Sequence, residues 1–191
     1  MRIPIAPVRP GVAAQAVSAY TGCMILGHAA LAVIAKQTYF SRENVLFLVA
    51  ASLFPDILDK PMSLFFSLPG RGVGHSLAAF AAIAGIAWVL APRLRLSAGI
   101  LISGAVMWLT HLASDFTKPQ VLFWPLLGSL EPSPRFDVWE KIYQFYVARI
   151  YPEQFWLDVA CIAIAVSLTA VNRMRSRIPA MVRQNSANRV R

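Results

Sequence analysis

Residues Leu96 to Asp115 read LSAGILISGAVMWLTHLASD. The run Leu96 to Ser114 carries no Asp, Glu, Lys or Arg and is close to the roughly 20 residues a helix needs to cross a bilayer. Its last part, Trp108 to Asp115, holds His111 and Asp115, four positions apart and therefore on one helical face, one turn from each other. An imidazole and a carboxylate at that spacing make half of a metal site. Two polar ligands at the end of a membrane-length segment are costly unless something uses them. The stretch thus sets both the fold class, an all-α membrane protein, and the point toward which other polar residues should converge.

Composition agrees. The chain has 191 residues, enough for one domain, with 57% hydrophobic and 14% charged residues and a mean hydropathy of +0.56. Soluble domains carry roughly 25% charged residues. The net charge of +9 could indicate nucleic acid, but its placement argues against that class. Six of the 18 basic residues follow Asn172 and others flank apolar runs, as topology-setting charges do. Cys23 and Cys161 both lie in apolar runs and read as small buried hydrophobes, with no disulfide and no paired-cysteine metal motif.

Outward from the central run, the chain divides into about four to five transmembrane helices, near 16–35, 43–55, 73–91, 96–114 and 155–171. The first is read as a retained helix rather than a cleaved signal peptide, being long for one. The second is short and is expected to end at Pro55-Asp56-Ile57-Leu58-Asp59-Lys60-Pro61. Met62 to Leu68 reads as an interfacial apolar patch, and Pro69-Gly70-Arg71-Gly72-Val73-Gly74-His75-Ser76 as a tight turn. Pro92-Arg93-Leu94-Arg95 reads as a basic loop. Residues 116–154, rich in proline, tryptophan and tyrosine, read as a segment on the membrane surface, with an interfacial helix over Val138 to Ile150. Residues 1–171 form one membrane-embedded helical domain, and 172–191 a basic, disordered tail that can also attract anionic lipid.

With five spans the connections fall on two sides. Residues 36–42, 92–95 and the tail hold Lys36, Arg42, Arg93, Arg95 and the six tail arginines; the other side holds fewer basic residues over longer segments. The positive-inside rule places the first set, and with it the C-terminus, in the cytoplasm. His75, His111, Asp56, Asp59 and Asp115 then lie toward the outer ends of the spans, with His28 somewhat deeper.

These residues carry a resemblance to the YdjM/DUF457 group of membrane-bound proteins, classed as metal-dependent hydrolases and described as LexA-binding inner-membrane proteins. The markers are Gly27-His28 in the first helix, Pro55-Asp56, the Arg71-Gly72-x-x-His75-Ser76 block, and His111-x-x-x-Asp115-x-Thr117 followed by Trp124-Pro125. They span about half the chain. Three departures stand out: Gly74 where the group usually has threonine, an acidic pair spread to Asp56 and Asp59, and Lys118-Pro119 where a glycine often follows.

The residues and the resemblance together lead to one expectation. His28, Asp56, His75, His111 and Asp115 hold one divalent ion, or two, with zinc the leading choice. Such an ion lowers the pKa of its water toward about 7. Arg71 neutralises an anionic substrate oxygen and His75 serves as ligand or acid–base group. The location implies membrane lipid as the surroundings and a lipid or phosphoester as substrate. Asp59 reads as a solvated or capping residue, and the tryptophans as interfacial anchors. The competing reading is a non-enzymatic adaptor or transporter whose His/Asp cluster is structural.

Overall fold

The computed structural model describes residues 25–66, 70–115, 117–130, 138–150 and 152–189. Among them there is no strand; every regular element is helical. Helix α1 is Ile25–Thr38, α2 is Val45–Ser52 and α3 is Phe54–Phe66. A 3₁₀ turn at Val73–His75 leads into α4, Leu77–Leu94, which is followed by α5, Ala98–Ser114. Short helices α6 (Pro119–Leu122) and α7 (Val138–Ile142) precede a π-helical turn at Tyr143–Val147 and the long α8, Pro152–Arg189.

The starts of α2, α4 and α5 follow from local chemistry. Asn44, Ser76 and Ser97 sit in extended conformation, and each side chain accepts a hydrogen bond from a first-turn amide: Leu46 at 2.8 Å, Ala79 at 3.1 Å and Ile100 at 3.2 Å. Helix α4 runs through Pro92 and stops at Arg95, which takes a left-handed conformation (φ 53°) and closes the last turn on Ala91.

Several sequence expectations change here. The expected span at 43–55 is two helices broken at Leu53; α2 alone rises only about 12 Å. Pro55 and Asp56 do not close a helix but open α3, since proline is tolerated in a first turn and a carboxylate is favoured there. The span expected to begin at 73 begins at Leu77, and Pro92-Arg93-Leu94 belongs to α4 rather than to a loop. The interfacial helix expected over 138–150 is an α-helical turn followed by a π turn. Helix α8 continues past position 172 to Arg189, so the backbone expected to be irregular is helical. The part of the first expected span before 25, with Cys23, lies outside the described residues.

Two helices are long and apolar enough to cross a membrane, Leu77–Leu94 and the Pro152–Ser176 part of α8; α5 is apolar and slightly shorter. Helix α1 packs against α8 around Ala30, Phe145, Cys161 and Ala165, and α2 packs between α1 and α5 around Ala32, Leu48 and Met107. At one end of this bundle the basic connections meet. Asn172 Nδ2 donates to Gln37 Oε1 at 2.9 Å, Gln37 Nε2 donates to Thr169 Oγ1 at 2.7 Å, and the Glu43 carboxylate lies against Gly99 at the start of α5. Counting 1.5 Å per residue from Ala98, His111 stands about 20 Å from that end.

Candidate metal centre

Four elements bring their polar residues to the opposite part of the bundle. α1 supplies His28, α3 supplies Asp56 and Asp59, the 3₁₀ turn supplies His75, and α5 with its C-terminal cap supplies His111 and Asp115. His28, His75, His111 and Asp115 are fully buried, and Asp56 and Asp59 nearly so. All three histidines of the chain meet here.

The donor atoms face one another. Asp115 Oδ1 lies 3.5 Å from His28 Nε2, and Asp115 Oδ2 lies 3.5 Å from His75 Nε2 and 3.8 Å from His111 Nε2. His75 Nε2 is 3.1 Å from His111 Nε2 and 3.7 Å from Asp56 Oδ1. Donors about 2.0–2.1 Å from one tetrahedral zinc ion stand roughly 3.3–3.4 Å apart, so these separations match a set of ligands about a common centre. Two overlapping groups, His28–His111–Asp115 and Asp56–His75–His111, have donors all within 4.8 Å of one another and could hold a metal ion. His28 Nε2 and Asp115 Oδ1 are buried with no hydrogen-bond partner among the described residues. Buried polar atoms left so normally cost about 1–3 kcal/mol each, and a bound cation would satisfy them.

Two cations flank the carboxylates. Arg71 Nη2 lies 2.6 Å from Asp115 Oδ2, and Lys60 Nζ lies 2.5 Å from Asp56 Oδ2, one turn along α3. Arg71 thus stands beside the cluster, paired with Asp115.

Asp59 is the residue the sequence undervalued. It is neither solvated nor a helix cap. Its carboxylate accepts from the backbone amides of Gly72 (2.7 Å), Gly74 (2.8 Å) and His75 (3.2 Å), and Oδ2 pairs with His75 Nδ1 at 2.7 Å. Asp59 therefore fixes the orientation of the His75 ring through Nδ1, and Nε2 is the ring nitrogen that faces the cluster. Gly74 is explained by the same contact. A Cβ there would come within 2.7 Å of Pro55 O, 3.0 Å of Leu58 Cβ and 3.1 Å of Asp59 Cγ. Helix α3 lies so close to the turn that only glycine fits between. Trp108 Nε1 donates to Gly74 O at 3.3 Å and holds the turn from the α5 side.

Asp158 on α8 was also not anticipated. It is buried, accepts from the Gly27 amide next to His28, and accepts from Tyr146 Oη at 3.0 Å. Nothing in the local sequence marks it beyond being an acid within an apolar run.

Fold and cluster together define a helical membrane protein with a buried His/Asp group able to hold a metal ion. The chain matches the family model described as YdjM inner membrane protein over residues 21–178, and it belongs to that family. No curated protein and no solved structure matches it.

Proposed function

We propose that this protein is an integral membrane, metal-dependent hydrolase whose active centre is the His28–Asp56–His75–His111–Asp115 cluster. The observation that supports it is the convergence of three histidines and two carboxylates, from four separate elements, onto one buried point with donor separations suited to a metal ion. His28 Nε2 and Asp115 Oδ1 face each other at 3.5 Å without a hydrogen bond, and neither has another hydrogen-bond partner among the described residues, which leaves both open to a cation. The arrangement favours zinc, one ion or two.

A divalent ion bound there would polarise a phosphoryl or acyl oxygen and acidify water. The protein's own groups divide the remaining work. Asp59, paired with His75 Nδ1, fixes the ring with Nε2 facing inward. Arg71, beside Asp115, is placed to balance charge on an anionic substrate oxygen. Helices α2, α3 and α5 exclude bulk water from the histidines, all fully buried.

In this reading the chain makes four to five membrane crossings, with α2 and α3 sharing one. The end where residues 36–42, 92–95 and the start of the tail meet faces the cytoplasm, by the positive-inside rule, and the membrane is the inner membrane. Metal content of purified protein tests the reading, wild type beside His111→Ala and Asp115→Ala. About one or two zinc ions per chain are expected in the wild type, with loss in both variants. A folded, metal-supplemented wild type without stoichiometric metal overturns it.

A further inference from the structure

Helix α3 is amphipathic the wrong way round for a protein in water. Its inner face, Asp56, Asp59 and Ser63, is polar and buried. Its outer face is apolar and open: Ile57 is 54% exposed, Leu64 50% and Phe65 74%. In water this face would be a liability, and at 13 residues α3 is too short to cross a bilayer alone. It packs on the same 3₁₀ turn as α4, whose 18-residue apolar stretch is only 6% buried, so two apolar and largely uncovered helices are joined to one turn.

The charges of the centre point the same way. Its most exposed polar groups are Lys60 and Arg71, with side chains 27% and 14% exposed, while the histidines are sealed. Two cationic side chains therefore form the part of the cluster that an entering ligand meets first, which suits an anionic group.

We infer that the centre receives the phosphate headgroup of a membrane lipid, entering from the bilayer beside α3 while its acyl chains lie along the Ile57–Phe65 face. The inference rests on the reading of the cluster as a metal centre and names the class of ligand for it. Soluble phosphoesters lack the part that α3 would contact.

The test is binding by the metal-supplemented full-length protein in maltoside detergent micelles, which carry no phosphate, with metal content read on the same sample. The probes are phosphatidic acid, diacylglycerol and glycerol 3-phosphate. Phosphatidic acid should bind at least about ten-fold more tightly than either of the others, and Arg71→Gln should remove about ten-fold of that affinity. The double change Leu64→Gln with Phe65→Gln should erase the preference over glycerol 3-phosphate while leaving glycerol 3-phosphate binding as it was. Equal binding of glycerol 3-phosphate overturns the lipid assignment, and equal binding of diacylglycerol overturns the phosphate assignment. Stoichiometric metal with no phosphatidic acid preference overturns this inference alone. Absence of metal overturns the reading beneath it as well.

Discussion

At the scale of single residues, the His/Asp cluster depends on one carboxylate that is in neither candidate ligand group. Asp59 gathers three backbone amides and the His75 imidazole, so it fixes the turn and the ring together. Residues that orient a ligand in this way typically change metal affinity by about 10–100-fold when removed. Asp59→Ala should lower affinity by that order in competition with a chelator, and Asp59→Asn should do so with a smaller loss of thermal stability, since the amide oxygen still accepts from the turn. Unchanged affinity in both variants would reduce Asp59 to a structural role. Of this arrangement the sequence showed His75 and the turn-forming glycines. It did not show Asp59, because an aspartate three positions after another beside a lysine looks like a solvated helix face; only the approach of the 72–75 turn makes it a buried acceptor. Gly74 looked like a defect in the family block and is instead a spatial requirement of that approach.

At the scale of elements, the position of His28 depends on how α1 is held by α8. Asp158 joins the Gly27 amide to Tyr146, one residue before the histidine. Asp158→Ala would leave a buried amide and a hydroxyl without their acceptor, and the fold should lose about 1–3 kcal/mol. Asp158→Asn should lose less. The measurement is unfolding in mixed detergent micelles, and equal stability of the alanine variant would show the tether to be dispensable. The apolar run of α5 was legible because uninterrupted hydrophobicity at membrane length has few other uses. The α2–α3 break was not, because Pro55 reads equally well as a stop or as a first-turn residue. Which reading holds depends on what Asp56 packs against.

At the scale of the whole molecule, two polarities coincide: basic connections at one end and the His/Asp cluster about 20 Å along α5 from that end. Single cysteines at Thr38 and Arg95, in a background lacking Cys23 and Cys161, should therefore react with a membrane-impermeant maleimide from the same side of sealed vesicles. A cysteine at Gly128, beyond the cluster end of α5, should react from the other side. Labelling of Thr38 and Arg95 positions from opposite sides would break the arrangement.

The sequence by itself determined the class of protein, its helical membrane character, and five residues that converge: His28, Asp56, His75, His111 and Asp115. Those are signals of composition and of spacing along one helix, and a chain with few charges has few places to put histidines. Only the tertiary structure decided that the chain breaks at Leu53 between α2 and α3, that Asp59 orients His75, that Gly74 must be small and that Asp158 anchors α1. Each of these depends on which element lies across from a residue, and contacts between α3 and the 72–75 turn, or between α1 and α8, leave no period or motif in the chain.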